Sequence, residues 1–297
     1  MPKMFTRTLL AFLMIGLSPL AAAGLKITAT TGMLADMAQN IGGTHVEVTA
    51  LMGPGIDPHL YKATAGDLRR LQQADLILHN GLHLEGKMAE VLEKLATRRP
   101  VYAVASALPA ARLLEERGVA DPHIWMDPAL WRLAAEGLLA KISELDPAHA
   151  ADYRRNAQGW FKRIDALDAW ARKELGAIPE RQRVLVTAHD AFRYFGRAYA
   201  VEVVGLQGIS TATEFGLNDL GRVRELVLER GVKAIFVESS VSDKGVTALR
   251  EGVAQSGGSL AIGGTLYSDA MGEPGTPEGT WIGMFEHNVR TIAEALR

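Results

Sequence analysis

Between Asp146 and Gly176 the chain runs 29 residues with no proline after Pro147 and no glycine except Gly159. Asp146 can cap a helix opening at Pro147, whose fixed φ suits the first helical position, and Gly176 marks the stop. At about 1.5 Å per residue such a helix spans about 40 Å, more than one small lobe requires. On either side the same pattern recurs. Short β-branched or apolar runs alternate with helical ones, the signature of parallel sheets built from βαβ units. The first half offers strands at Leu25–Ala29, Val46–Leu51, Asp75–Leu78 and Val101–Val104, with helices at Met33–Ile41, Ala65–Gln73 and Gly86–Ala96. The second offers strands at Arg183–Val186, Val201–Val204, Ala234–Val237 and Ser259–Ile262, with helices capped by Asn218 and Ser242. A last helix, near Thr280–Leu296, sets Ile282, Phe285, Val289, Ile292 and Leu296 on one face. The pattern predicts an α/β fold of two lobes, each with a mostly parallel four-stranded sheet flanked by helices, joined by one long rigid helix. A continuous helix resists bending where a Gly/Ser linker would not, so little relative motion is expected.

The expected divisions are a signal peptide at 1–23, an N-terminal lobe at 24–145, the linking helix at 146–177 and a C-terminal lobe at 178–297. Lys3 and Arg7 precede the 12-residue apolar run Leu9–Leu20, and Ala21-Ala22-Ala23 supplies small residues for cleavage. The run is short for a bilayer span, which takes about 20 residues. An exported, periplasmic chain is expected. With no cysteine anywhere, lipid attachment at the leader is also excluded, so the expectation is a protein that is not a lipoprotein. The same zero removes disulfide scaffolds, iron–sulfur clusters and thiolate nucleophiles. Any metal must be held by His, Asp, Glu or backbone oxygen. Without Lys3 and Arg7 the chain carries 30 basic against 34 acidic residues. That balance gives no reason to expect nucleic acid as a partner.

Three of the eight histidines, with one aspartate, share a context. His59 closes the loop Gly53-Pro54-Gly55-Ile56-Asp57-Pro58 after the second strand. His123 follows Asp121-Pro122. His189 stands after the strand Arg183–Val186, and Asp269 after the strand Ser259–Ile262. Open α/β sheets bind ligands beyond the carboxyl ends of their strands. All four residues fall on that side, two from each half, which places them in the cleft between lobes. Three neutral imidazoles and one carboxylate suit a divalent cation. Spacing alone leaves the alternative open that each His is an exposed or capping loop residue. His79 and His83, flanking Asn80-Gly81 at another strand end, compete for the same role, while His45, His149 and His287 read as structural or exposed. Asp57, Asp127 and Asp190 read as helix N-caps, the first two with proline at the next position. Glu238, closing the strand Ala234–Val237, is either an acceptor behind an imidazole or an interface acid.

Four phrases carry a resemblance: Gly-Ile-Asp-Pro-His-Leu-Tyr (55–61), Asp-Pro-His-Ile-Trp-Met-Asp-Pro (121–128), Thr-Ala-His-Asp-Ala-Phe-Arg-Tyr-Phe (187–195) and Leu-Tyr-Ser-Asp-Ala-Met-Gly (266–272). Together, in this order, they resemble the metal receptors of bacterial ABC importers for zinc and manganese. The likeness covers essentially the whole chain after the leader. It implies that His59, His123, His189 and Asp269 hold Zn²⁺ or Mn²⁺ as transported ligand, and that a monomeric, non-enzymatic receptor docks on the permease subunits of the importer. Many zinc-specific members carry a His-rich insert in the first lobe, whereas Leu108–Val119 has no His. Many manganese-specific members have Glu at the third ligand position, where this chain has His189. Three imidazoles favour Zn²⁺, since Mn²⁺ prefers oxygen and sits low in the affinity order. The phrases at 267–272 and 279–284 are more similar to the manganese branch. Protonation of the imidazoles is expected to weaken binding as pH falls through about 6.5. The rival reading is a secreted zinc hydrolase, which normally leaves one coordination position for water and sets a Glu base beside it, as in H-E-x-x-H. No such motif occurs in this sequence.

Overall fold

The computed structural model describes residues 24–213 and 215–297, so the expected signal peptide lies outside the described residues. The first half runs β1 (Leu25–Ala29), α1 (Gly32–Gly42), β2 (Val46–Ala50), α2 (Ala65–Gln73), β3 (Leu76–His79), α3 (Ala89–Ala96) and β4 (Val101–Ala103). A small antiparallel hairpin, β5 (Glu115–Glu116) and β6 (Val119–Ala120), follows where no strand was expected. Then come α4 (Pro128–Leu145) and α5 (Ala150–Gly176). The second half runs β7 (Val184–His189), α6 (Arg193–Tyr199), β8 (Glu202–Gln207), α7 (Leu217–Arg230), β9 (Ala234–Glu238), α8 (Lys244–Gln255), β10 (Ala261–Leu266) and α9 (Trp281–Leu296).

Both four-stranded sheets are wholly parallel and share one strand order, β2-β1-β3-β4 and β8-β7-β9-β10. In that order the chain winds in opposite directions from the β1/β3 and β7/β9 pairs. Beyond the carboxyl ends of such pairs a crevice opens in which α/β folds seat their ligands. Every residue of β7 is buried, as expected of a central strand covered on both faces.

The long helix is present with a modified start. Pro147–His149 form a 3₁₀ turn, and α5 then runs 27 residues, about 40 Å. Asp146 stands at the cap of that turn, its carbonyl accepting from the His149 N–H at 3.3 Å, but its side chain caps no backbone N–H; Oδ2 accepts instead from the Tyr153 hydroxyl at 2.6 Å and from Nδ1 of His149 at 2.7 Å. His149 in turn stacks on His45, with ring centroids 3.9 Å apart, which ties the foot of α5 to the first half. Tyr153, Ala157, Trp160, Ile164, Ala171 and Leu175 bury one face of the helix. They join a single core that runs from Ile27 and Leu78 in one sheet to Leu185 and Phe236 in the other. At its centre Trp281 of α9 stacks on Trp131 of α4 at 6.0 Å and meets Trp160 of α5 edge-on at 6.4 Å. Burying side chains of this size stabilises the fold by about 1.5–3 kcal/mol each. Smaller apolar clusters lie under α7 and α8 on one sheet and under α2 and α3 on the other.

Several capping expectations are corrected. Asp127 does cap α4, accepting from Ala129 and Leu130 N–H at 2.9 and 3.3 Å. Asp57 and Asp190 cap no helix. Asp57 accepts instead from the N–H of His59, two residues on, and Asp190 from the N–H of Gly205 on the neighbouring strand. The starts of α7 and α8 follow Gly216 and Asp243, not Asn218 and Ser242. At α7 the reason is that Asp219, inside the first turn, accepts from the Gly216 N–H at 3.0 Å.

Candidate metal centre

Each of the four singled-out side chains is brought to one point by its own local device. His59 sits in the turn after β2. Gly55 takes the positive φ of 69° that reverses the chain, and Asp57 Oδ1 then accepts from the His59 N–H at 2.8 Å. His123 repeats the arrangement: Asp121 Oδ1 accepts from its N–H at 3.0 Å and from its ring Nδ1 at 2.7 Å. The tripeptide Asp-Pro-His occurs at both places, and an Asp bonding to the backbone two residues on is a local turn that proline in the middle pre-sets. His189 is the last residue of β7. Its N–H and its Nδ1 donate to the two oxygens of Glu238, at the end of β9, at 2.9 and 2.6 Å. Asp269 follows β10 on a segment anchored by the Trp125 indole, which donates to the Ser268 carbonyl at 2.8 Å.

Carboxylates cannot donate when ionised, so they hold the proton of His123 and His189 on Nδ1 and leave Nε2 facing inward. The result is a tight cluster. The donor atoms of His59, His123, His189 and Asp269 all lie within 4.8 Å of one another. Nε2 of His59, His123 and His189 stand 3.4, 3.5 and 3.2 Å from the carboxylate oxygens of Asp269. Donor atoms at tetrahedral corners about 2.0–2.1 Å from a zinc ion would be about 3.3–3.4 Å apart. All four side chains are at most 4 % exposed. Yet the three Nε2 atoms and both Asp269 oxygens have no hydrogen-bond partner, a costly state for buried polar atoms unless something else satisfies them.

Charge is also concentrated here. Burial by itself would push the His189 imidazole down and the Asp269 carboxyl up. Instead, the negative charges of Glu238 and Asp269 hold His189 well above its usual value, and the positive charge on His189 holds Asp269 well below its own. Asp121, by contrast, has Arg193 3.4 Å from its second oxygen.

The competing histidines stay outside. His79 Nδ1 lies 3.8 Å from Glu85, whose carboxylate is occupied by the Thr30 hydroxyl and the Asn80 N–H. His83 adopts a left-handed φ of 62°. Neither belongs to the cluster. Glu238 takes the first of its two roles, as an acceptor behind an imidazole. Asp121 was not singled out from sequence, although the repeated Asp-Pro-His tripeptide was the signal for it.

Two parallel sheets bridged by a helix, with a buried His₃Asp cluster where their strand ends face each other, define the metal-binding substrate-binding proteins of ABC importers. Residues 27–295 match the family described as zinc-uptake complex component A periplasmic, ZnuA, and the chain belongs to it. It is 51% identical over 275 residues to the manganese-binding lipoprotein MntA of Bacillus subtilis, covering 92% of this chain and 90% of that protein. It is 47% identical over 278 residues to the zinc-binding protein TroA of Treponema pallidum, covering 93% and 90%. A solved structure of the periplasmic zinc-binding protein TroA from Treponema pallidum superposes with a TM-score of 0.91 at 45% identity, covering 92% of this chain and 99% of that one.

These relatives correct one expectation. The chain was expected to be periplasmic and not a lipoprotein, but MntA and further relatives are named lipoproteins.

Proposed function

We propose that this chain is the receptor of an ABC importer for a divalent transition metal, Zn²⁺ or Mn²⁺, held by His59, His123, His189 and Asp269. The observation that carries this reading is the set of five buried, unpartnered donor atoms converging from both sheets. They replace the water shell of the ion, and the ion removes the cost of leaving them unpaired. Residues 24–145 and 178–297 act as the two lobes and 146–177 as the link. The receptor works as a monomer and delivers its ion to the permease subunits.

The relatives' names divide between manganese and zinc. Donor chemistry favours zinc at equilibrium, since three imidazole nitrogens suit it better than they suit Mn²⁺. Four protein donors also close the shell, leaving no position for a nucleophilic water. That supports a carrier, and nothing in the family match supports the hydrolase alternative. The test is titration of the purified, chelator-stripped chain with Zn²⁺ and Mn²⁺ by calorimetry and native mass spectrometry. One ion per chain, with Zn²⁺ tighter, is expected; no stoichiometric binding of either ion overturns the reading.

A further inference from the structure

The two rims of the site are held unequally. On the His123 side, α6 of the second half clips onto the first half through three side chains. Tyr194 Oη accepts from Leu114 N–H at 3.0 Å and donates to the Asp121 carbonyl at 2.9 Å. Arg193 reaches Asp121 at 3.4 Å and the Glu115 carbonyl at 3.1 Å, and Arg197 reaches the Arg112 carbonyl at 2.8 Å and Asp127 at 3.3 Å. On the His59 side, among the described residues, one hydrogen bond ties the loop of residues 53–60 to the second half. The Thr211 hydroxyl, in the segment after β8, donates to Asp57 Oδ2 at 2.5 Å, while the other oxygen of that carboxylate receives the His59 N–H. Thr211 is 8 % exposed and Asp57 half-buried, so the bond is partly shielded from water, where a hydrogen bond to a charged group is worth more than in open solvent. Beside the loop a cavity of about 110 Å³, lined by Met52, Pro54, Ile56, Ala270, Met271 and Asp269, leaves it room to shift.

We propose that Thr211 is a positioning residue for metal capture: through Asp57 it latches His59 onto the second half, and the loop of residues 53–60 is the part that opens for the ion. This inference rests on the metal-receptor reading. A chain pinned at many points around His123 and at one around His59 parts first at the single bond. His59 is then the last donor to engage and the first to leave, while the other three stay in place.

The test is the rate of Zn²⁺ release into excess chelator, followed by stopped flow on the full chain. Thr211→Val removes the hydroxyl at nearly constant shape and should speed release by about tenfold, while Thr211→Ser keeps it and should release at the wild-type rate. In a His59→Ala background, Thr211→Val should add no further acceleration, because the latch acts only through His59; a merely structural threonine would accelerate both. Should the valine variant not fold, Thr211→Ala carries the same expectation. Release at the wild-type rate from the Val or Ala variant, equal rates for Val and Ser, or full acceleration in the His59→Ala background would each overturn the latch. Failure of the wild-type chain to hold Zn²⁺ at all would instead overturn the receptor reading.

Discussion

Glu238 grips His189 with both oxygens, one on the backbone N–H at 2.9 Å and one on ring Nδ1 at 2.6 Å. The two residues are neighbours across the point where the second sheet reverses its winding, and 49 positions apart in the chain. The pairing sets the tautomer and aim of one inward-facing nitrogen. Replacing Glu238 with Gln keeps the volume but offers an NH₂ where an acceptor is needed. Zn²⁺ affinity is expected to fall about 10- to 100-fold. Competition against a chromophoric chelator measures it, and an unchanged constant would remove Glu238 from the machinery.

The same pair moves the pH dependence. Because the His189 pKa is raised in the fold, its protonated form contributes stability to the metal-free protein that is fully present below about pH 6.5 and is lost as pH rises through the higher folded value. Metal must displace that proton, so affinity should climb with pH through and beyond the neutral range, above the value of an ordinary imidazole. Calorimetry at pH 7 in buffers of different ionisation enthalpy should show about one proton released per ion bound. No proton release at pH 7 would contradict the charge arrangement around His189.

Asp269 is the one carboxylate of the proposed ligand set and faces all three imidazoles. Asp269→Asn should cost more affinity than Glu238→Gln, beyond about 100-fold, since it removes the negative charge and one oxygen of a proposed donor, not the support behind one. Its carboxyl is held low, so its contribution to the stability of the metal-free fold is present above about pH 3.8 and is lost only as pH falls through the depressed value. Acid unfolding of the variant, followed by circular dichroism, should therefore lack that low-pH component.

Trp281 tests the rigidity of the frame. Its indole N–H donates to the Trp125 carbonyl at 3.1 Å, and its backbone N–H to Asp36 at 3.1 Å. Trp281→Ala should destabilise the chain by about 3–5 kcal/mol, as large cavities in shared cores do. Urea unfolding should remain a single transition at a lower midpoint. Two separated transitions would mean that the halves do not share a core.

Strands and helices were legible where period and caps were local. Ala65–Gln73 is found with the ends expected of it, and Leu25–Ala29 likewise. The misplaced end of β10 has a physical cause. The expected strand Ser259–Ile262 stops before Gly263-Gly264, but there the register shifts, Gly264 takes a φ of 140°, and the strand continues to Leu266, towards Asp269. The four site residues were placed by strand order and by resemblance. Their partners were harder to see: Asp57 and Thr211 come from different halves, and Glu238, noted at its strand end, meets His189 only once β9 lies beside β7. Asp190 carried a capping signature that the neighbouring strand claimed first.

The indoles of Trp131, Trp160 and Trp281 come from three helices, α4, α5 and α9. The two sheets look like copies of one module, yet neither could be spliced out and kept. A chain ending after α5 would strand two of these rings in water, and the second half alone would expose the third. For all their matching strand orders, the two sheets share one core, so the molecule is expected to stand or fall as one piece.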